Sequence, residues 1–330
     1  MRGSDFVNVS RHLTRLAAAL ALASLASGAA AQSWPGKPVR LISQFPPGGG
    51  TDLIARNLIP KLAEVFGQQF ILEHRPGAAG NIAADFVAKS PADGYVILIA
   101  NNTLVIQAAM PQKLAFDVVK DFAPIAVVAS TPVALAVHPS MPVKSVKDLI
   151  ALAKAQPGNI AYSSCGTGTA MHLAGELFKQ RAKIDMTHVP YKGCGPAIVD
   201  GIAGYLPVLF NTITNTTPQA KGGRLRVVAL ASATRSPVDK NLPTIAEAGL
   251  TGFDADIWFG FMAPAGTPRD IITRVNAELN RIVKLPDIVE RLSGQLFDIR
   301  TGTPEAFSEL IRSDIAKWSE VVRDANIKPD

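Results

Sequence analysis

The sequence predicts an α/β protein with doubly wound, mostly parallel sheets. Apolar stretches typical of buried strands alternate with stretches of helical periodicity, as in parallel strands joined by crossover helices. Two glycine-rich loops, about 115 residues apart, each follow a predicted strand and precede a predicted helix. Because 330 residues suit one large domain or two domains of roughly 150, we expect the two loops to belong to two domains.

The first 31 residues have the composition of a secretory signal peptide. Three arginines within the first 15 residues precede an apolar run at 16–25, and three alanines at 29–31 precede Gln32. Small residues in this position are typical of a cleavage site. The apolar run is shorter than the roughly 20 residues that a membrane-spanning helix needs. We therefore expect residues 1–31 to be removed on export, which places the mature protein in the periplasm.

The first glycine-rich loop lies within a predicted strand–loop–helix unit. Residues 39–45 have the continuous apolar pattern of a buried strand, and residues 52–66 place apolar side chains at helical spacing. Gly67 marks the end of that helix, because glycine is common just beyond a helix C-terminus. The segment PPGGGT at residues 46–51 connects the strand to the helix.

The rest of the first half continues this alternation. A strand is predicted at 70–73, and a loop at 74–81 with a helix after it leads to the turn PADG and a strand at 95–100. Residues 124–137 are rich in valine and alanine and read as one or two strands.

The same order then recurs. Ser145 is the predicted N-cap of a helix at 146–155, with Asp148 at the capping-box position. A short strand at 160–163 opens into the second glycine-rich loop, SCGTGT, at 164–169.

Shorter signals predict the remaining elements. The helix after the second loop extends to Gln180. Three more strands are predicted at residues 187–191, 206–210 and 225–231. Thr267-Pro268 and Thr303-Pro304 each pair an N-cap residue with proline at the first helical position, so each begins a helix.

Composition excludes several classes of protein. A hydrophobic fraction of 48% excludes a disordered chain, and two cysteines exclude a disulfide-rich scaffold or paired C-x-x-C zinc ligands. The five histidines include no H-x-x-x-H pair, so a zinc protease of the zincin type is not expected. We expect neither a metal nor a cofactor. The net charge of +6 comes from scattered basic residues, so nucleic acid is not an expected partner.

The two glycine-rich loops together indicate a site for a small anion. The N-terminus of a helix attracts anions through unpaired N–H groups and the helix dipole, and glycine lets the backbone approach closely. The first loop lacks the Gly-Lys-Ser/Thr of a phosphate-binding P-loop, and the second lacks the third glycine of a dinucleotide fingerprint. Facing each other from two domains, the loops would clamp an anion between them.

Three side chains near the second loop allow more than one interpretation. His172 is either a donor to the ligand or a histidine that stabilises the helix through local backbone. Cys165 and Cys194 each follow a predicted strand, so they are either a disulfide or two separate buried thiols. A catalytic pair of Cys165 and His172 is not expected, because seven residues of helix separate them by about 10 Å.

Six segments, taken in order, resemble one family of receptors. They are WPGKPVRLISQFPPGGGTDLIAR, RPGAAGN, SPADGY, GTGTAMHLAGELF, VPYKG and WFGFMAPAGTP. The sequence resembles the extracytoplasmic receptors of tripartite tricarboxylate transporters, the TctC-like group also called Bug (Bordetella uptake gene) receptors. The resemblance extends from about Trp34 to Asp330.

The resemblance implies a periplasmic binding protein-like fold with a ligand cleft between two domains. Residues 32–136 with 258–330 would form domain 1, and residues 137–257 would form domain 2, with hinge strands near 132–137 and 254–259. Such a receptor is a monomer and not an enzyme. It binds a small carboxylate and delivers it to the membrane permease subunits of the transporter.

The resemblance also implies the ligand-binding residues. In domain 1 they are Phe45, Gly48, Gly49, Gly50, Thr51, Asp52, Gly80, Asn81, Asn101 and Thr103. In domain 2 they are Ser164, Cys165, Gly168, Thr169, His172, Tyr191, Lys192 and Asn211.

The sequence departs from the family pattern at three positions. Cys165 and Cys194 stand where many members have serine, and Asn211 stands where the family often has aspartate. A neutral Asn211 removes a charge that would favour a ligand ammonium, so we expect a dicarboxylate or an aromatic carboxylate such as terephthalate, not an amino acid. The alternatives are a receptor that signals to a sensor kinase and, more remotely, an exported hydrolase.

Overall fold

The computed structural model describes residues 34–237 and 239–328, so the predicted signal peptide at 1–31 lies outside the described residues. None of the helices in these ranges combines the length and apolarity that a membrane span requires. The strands are β1 (Val39–Ser43), β2 (Phe70–His74), β3 (Val96–Asn101), β4 (Phe122–Thr131), β5 (Val133–Val137), β6 (Ala161–Ser164), β7 (Thr187–Pro190), β8 (Val208–Thr212), β9 (Arg226–Leu230), β10 (Ile257–Pro264) and β11 (Asp298–Ile299). The helices are α1 (Gly50–Phe66), α2 (Asn81–Ala88), α3 (Thr103–Ala109), α4 (Val146–Ala155), α5 (Ala170–Ala182), α6 (Cys194–Ala203), α7 (Ile213–Lys221), α8 (Arg269–Ile282), α9 (Pro286–Gly294) and α10 (Pro304–Asp324).

These strands form two sheets with helices packed on them. The first sheet has six strands in the order β11-β4-β10-β3-β1-β2, and the second has five in the order β7-β6-β8-β5-β9. Strand β1 is parallel to β2 and β3, and β6 is parallel to β7 and β8, as the alternation of elements predicts. Both sheets are nevertheless mixed, because β5 and β10, where the chain enters from the other sheet, run antiparallel to their neighbours.

The helix ends follow the expected capping chemistry with one difference. Ser145 accepts a hydrogen bond from the Asp148 N–H, and Thr303 caps α10 ahead of Pro304. Helix α8 begins one residue later than predicted, with Pro268 as its N-cap. The Thr267 hydroxyl instead donates to the Pro264 carbonyl at 2.7 Å, so it serves the preceding turn.

Helices α3, α6, α7 and α9 have no counterpart among the predicted elements. Helix α6 begins Cys-Gly-Pro, and α7 is rich in threonine and contains Pro218, so both have low intrinsic helix propensity. Packing supplies the stability that intrinsic propensity does not, because Ile198 of α6 and Leu209 of β8 are buried in one apolar cluster. Tertiary contacts thus stabilise helices that local sequence does not indicate.

Within the described residues, the chain passes between the two sheets twice. It leaves the first sheet after Thr131, passes Pro132, and enters β5. It returns through a segment in which the Ala255 N–H donates to the Ala231 carbonyl at 2.7 Å, and the Ala231 N–H donates to the Val133 carbonyl at 2.7 Å. The two crossings therefore lie side by side, and any relative motion of the sheets has to occur there.

Asp256 is the buried acid of the return crossing. Its Oδ2 lies 3.6 Å from Arg300 Nη2, and Arg300 Nε donates to Ser130 Oγ at 2.9 Å, next to the outgoing crossing. Burial raises the pKa of Asp256 to about 7, with the Asp254 carboxylate acting in the same direction and Arg300 opposing it. The folded protein therefore favours the protonated form of this carboxyl.

An Asp256→Asn variant should be more stable than the parent protein at pH 8 and no more stable at pH 4. Because the folded-state pKa is raised, ionisation of Asp256 costs stability as pH rises from about 4 through 7. The neutral amide removes that cost, which we expect to increase the free energy of unfolding at pH 8 by at least about 1 kcal/mol. Urea unfolding at several pH values measures it. Asp185→Asn, at an exposed position, is the control, and an equal gain at pH 4 and 8 would contradict this account of Asp256.

Candidate ligand site between the two sheets

A cavity of about 430 Å³ lies where the two sheets face each other. The described residues that line it include no Asp, Glu, Lys, Arg or His. Its first-sheet wall consists of Phe45, Pro46, Pro47, Gly48, Gly49, Gly50, Leu53, Asn101, Thr103, Thr131, Ile257, Phe259 and Phe297. Its second-sheet wall consists of Cys165, Thr169, Ala170, Met171, Gly193, Cys194, Thr212, Thr214 and Asn215.

Among the described elements, four helices of nine or more residues begin at this cavity. The first residues of α1, α5 and α6, which are Gly50, Ala170 and Cys194, line it, as does Thr214 in the first turn of α7. In the described chain, the N-caps of α1, α6 and α7 make no side-chain capping hydrogen bond. Their first-turn N–H groups carry the positive end of each helix dipole. Converging on a space without charged side chains, they favour an anion.

In the first glycine-rich loop, Phe45 and the three glycines line the cavity. Gly48 has a φ of +86°, in the left-handed region that favours glycine, and its N–H donates to Asp52 Oδ2 at 3.0 Å. A Cβ atom on Gly50 would lie 2.5 Å from Phe259 Cζ, so only glycine lets α1 begin against that ring.

Thr51 and Asp52 lie behind this loop and do not line the cavity. The Thr51 hydroxyl pairs with Ser43 Oγ at 2.9 Å. Asp52 Oδ1 lies 2.7 Å from His74 Nε2, and both its oxygens accept from Arg56 Nε. Burial by itself would raise the pKa of Asp52, but the hydrogen bonds from Arg56, the Gly48 N–H and His74 lower it. An ionised Asp52 thus holds the loop in place from outside.

Of the ligand-binding residues predicted after β2 and β3, some line the cavity and others do not. Asn101 and Thr103 line the cavity, with the Thr103 N–H donating to Asn101 Oδ1 at 3.0 Å. Gly80 packs against Gln44, whose Nε2 would lie 2.9 Å from an added Cβ atom. Asn81 Nδ2 donates to Gln107 Oε1 at 3.4 Å, away from the cavity wall.

The second glycine-rich loop contributes Cys165 and Thr169 to the cavity wall. Thr169 is the N-cap of α5: its hydroxyl accepts from the His172 N–H at 3.3 Å and donates to the Gly166 carbonyl at 2.7 Å. Ser164, although predicted as a ligand contact, is buried and pairs with His188 Nε2 at 2.7 Å.

His172 supports the second loop from inside the protein. It is 5% exposed, its Nδ1 accepts from the Gly168 N–H at 3.1 Å, and its ring stacks on His188 at 3.8 Å. Burial lowers the pKa of His172 to about 4, with the charge of Lys179 acting in the same direction. A neutral His172 can accept the Gly168 N–H, so the structure places it in the helix-stabilising role and not in the cavity wall.

Three further predicted residues also lie outside the cavity wall. The Tyr191 hydroxyl donates to Asp200 Oδ2 at 2.5 Å; burial, followed by the Asp200 carboxylate, raises the pKa of Tyr191 to about 12. Lys192 is exposed. Asn211 is fully buried, with Nδ2 donating to the Cys194 carbonyl at 3.2 Å.

A disulfide joins Cys165 and Cys194, whose Cα atoms are 4.3 Å apart. Both cysteines line the cavity, and the Gly193 N–H donates to the Cys165 carbonyl at 3.1 Å. The disulfide therefore ties the loop before α5 to the start of α6, the two adjacent N-termini on the second-sheet wall.

The polar residues at the start of α7 were missed because no helix is predicted there. Thr212 and Thr214 pair through their hydroxyls at 2.8 Å, and Asn215 Nδ2 donates to Asn211 Oδ1 at 3.2 Å. The run NTITN at residues 211–215, directly after a predicted strand, could have signalled a polar loop facing the site. No sequence signal could place Phe297, because its position follows from the packing of α9 and β11.

Comparisons with known proteins agree on one family. The profile of the family described as "Tripartite tricarboxylate transporter family receptor" matches residues 54–327. Protein BugT of Bordetella pertussis is 33% identical, over 98% of this chain and 99% of that protein. The structure of R. palustris Rpa4515 with adipate is 35% identical with a TM-score of 0.80, covering 90% of this chain and 100% of the other. MatC from Rhodopseudomonas palustris with bound malate is 29% identical with a TM-score of 0.76, covering 88% of this chain and 100% of the other.

Gly50→Ala should destabilise the protein, whereas Gly49→Ala should not. The added methyl group at position 50 overlaps the buried Phe259 ring, and such overpacking typically costs about 1–3 kcal/mol. At position 49 the nearest atoms would lie at 3.6 and 3.8 Å, in ordinary contact. Chemical unfolding of both variants measures the difference, and equal stability of the two would contradict the described packing of α1 on β10.

Cys165 and Cys194 should resist alkylation in the denatured, unreduced protein and react after reduction. Closing a loop with a sequence separation of 29 residues typically stabilises a fold by about 2–4 kcal/mol, so reduction should also lower the melting temperature. Intact-mass measurement after iodoacetamide treatment counts the reacted thiols. Two alkylated cysteines without reductant would show that the disulfide does not form.

Proposed function

From the premise that this chain belongs to the tripartite tricarboxylate transporter receptor family, we propose that it captures a small carboxylate between its two sheets and delivers it to membrane subunits of such a transporter. Members of the family are periplasmic solute-binding proteins and not enzymes, and this chain is a solute-binding receptor.

The observation that carries the proposal is the convergence of four helix N-termini on one cavity. The N-termini of α1, α5, α6 and α7 supply N–H donors and positive dipole ends, and no described residue of the wall supplies a charge. A carboxylate would find donors there, whereas a cation would find neither a carboxylate partner nor a favourable dipole. A volume of about 430 Å³ lies within the usual range for small-molecule sites.

The rest of the wall favours a ligand with an apolar body. Phe45, Phe259 and Phe297 present aromatic faces, and Leu53 and Met171 add aliphatic surface. A dicarboxylate with a hydrocarbon chain, or an aromatic carboxylate, would place its charge at the helix N-termini and its apolar part against these side chains. The similar structures with adipate and with malate support the dicarboxylate class.

No described residue of the wall gives a ligand ammonium group an ionic partner. Asn211 replaces the aspartate common in the family, and its carboxamide is occupied by the Cys194 carbonyl, the Thr212 N–H and Asn215. Asp52 lies behind the first loop with Arg56 and His74, so its charge is already paired. We therefore propose that amino acids are poor ligands.

We propose that the two sheets are the cores of two lobes that close on the ligand. The first lobe comprises residues 34–131 and 257–328, and the second comprises residues 133–256. Strand β5 pairs within the second sheet, so the proposed boundary lies at Pro132, before the one expected at 136. On this proposal the receptor works as a periplasmic monomer after removal of residues 1–31.

A screen of carboxylates tests the ligand class. Adipate, malate and terephthalate should raise the melting temperature and bind one-to-one by calorimetry, while aspartate and glutamate should not. Native mass spectrometry of freshly purified protein should reveal any carboxylate retained from the cell. Binding of amino acids only would contradict the proposed class, and turnover of a bound ligand would contradict a receptor role.

Asn215→Asp should strongly weaken carboxylate binding. This variant and Asn215→Ala both lose the hydrogen bond to Asn211 Oδ1, so the difference between them reports the added charge. The aspartate substitution changes an amide to a carboxylate in the cavity wall, where it repels an anion. Asn215 lies in the first turn of α7, where a negative side chain is favoured by the helix dipole. Calorimetry with the tightest-binding carboxylate of the screen should show at least about a hundredfold loss for the aspartate variant. Asn215→Ala, which removes the amide without adding charge, should lose far less; equal losses would show that charge does not decide binding.

A further inference from the structure

Gln107 joins the two lobes directly beside the cavity. It lies on α3 of the first lobe and is 6% exposed. Its Nε2 donates to the carbonyl of Gly168 in the second lobe at 3.3 Å. The next residue, Thr169, lines the cavity, so this contact between lobes is one residue away from the cavity wall.

Neighbours within the first lobe orient the Gln107 carboxamide. Its Oε1 accepts from Gln112 Nε2 at 2.8 Å and from Asn81 Nδ2 at 3.4 Å. Because donors occupy the oxygen, the nitrogen faces the second lobe. Asn81 therefore helps to orient Gln107, although it does not line the cavity.

Neighbours within the second lobe hold Gly168. It has a φ of +70°, and its N–H donates to Nδ1 of the neutral, buried His172 at 3.1 Å. A Cβ atom at Gly168 would lie 2.9 Å from Gln107 Nε2. The Gly168 peptide is therefore bound to its own lobe through its N–H and to the other lobe through its carbonyl.

We propose that Gln107 is the latch of the closed form, a positioning residue that holds the second glycine-rich loop against the first lobe. Separating the lobes breaks the hydrogen bond between Gln107 and Gly168. The bonds that Gln112 and Asn81 donate to Gln107 persist, as does the bond from Gly168 to His172, because each of them lies within one lobe. A contact that exists only in the closed form shifts the equilibrium towards closure and slows ligand release. The effect on release rests on the proposed carboxylate-binding function, but the effect on closure does not.

A second glutamine provides a matched control. Gln180 on α5 donates through Nε2 to Asp324 Oδ2 on α10 at 2.6 Å, so it also joins the two lobes. Unlike Gln107, it is exposed, and water can replace its partner when the lobes separate. At both positions, substitution by glutamate removes the donor. The new carboxylate faces the Gly168 carbonyl at position 107 and the exposed Asp324 carboxylate at position 180, where water and salt screen the repulsion.

Distance measurements in ligand-free protein test the latch. Glu64→Cys on α1 and Lys221→Cys on α7, both exposed, carry nitroxide labels attached without reductant, and electron–electron resonance measures the distance between them. Gln107→Glu should shift the distribution to longer distances, and Gln180→Glu should not. Gln107→Leu, which also lacks the donor, is measured in parallel so that the result does not depend on the folding of one variant. Distributions unchanged in both Gln107 variants, or shifted equally by Gln180→Glu, would overturn the proposal.

Release kinetics with adipate provide the second readout. Gln107→Glu should raise the dissociation rate about tenfold, as expected for the loss of one buried hydrogen bond, and leave the association rate within about twofold. A merely structural defect of the site would instead slow association as well. An unchanged dissociation rate would overturn the latch. If adipate does not bind the parent protein, that result counts against the proposed ligand class, and the label distances still decide the role of Gln107.

Discussion

The candidate ligand site is formed by helix N-termini, whose first backbone N–H groups have no partner within their own helices. Four of them, at α1, α5, α6 and α7, open onto the cavity between the two sheets. An anion bound there would satisfy these donors and meet the positive ends of the dipoles, so the described wall needs no arginine or lysine. The glycines at 48–50 follow from the same constraint, because Gly50 meets the Phe259 ring where α1 approaches the cavity.

Polar side chains that do not line the cavity hold the segments of its wall in place. Asp52 fixes the first loop through Gly48, His172 fixes the second through Gly168, and Asn211 fixes the start of α6 through the Cys194 carbonyl. Keeping Asp52 outside the wall also matters electrostatically, since a carboxylate at the mouth of α1 would compete with an anionic ligand for its N–H groups. The Cys165–Cys194 disulfide adds a covalent tie between two of these supported segments.

The connections between the lobes differ in what they do when the lobes separate. The paired crossings at Pro132 and Asp256 remain in every state, with Arg300 bonded near both of them. The Gln107–Gly168 hydrogen bond can exist only when the lobes are together. In the proposed two-lobe receptor, closure is therefore governed by a permanent pivot on one side and a breakable contact beside the cavity on the other.

Sequence alone determined the elements with strong local signals and the chemistry of the two glycine-rich loops. Apolar periodicity, Gly67 and the caps at Ser145 and Thr303 are local features, so the strands and the long helices could be predicted to within a few residues. The tertiary structure alone decided which predicted residues face the cavity: Phe45, Asn101 and Thr169 do, while Asp52, His172 and Tyr191 do not. It also supplied α7 and the position of Phe297, because side-chain direction and the packing of segments distant in sequence depend on partners that no local pattern specifies.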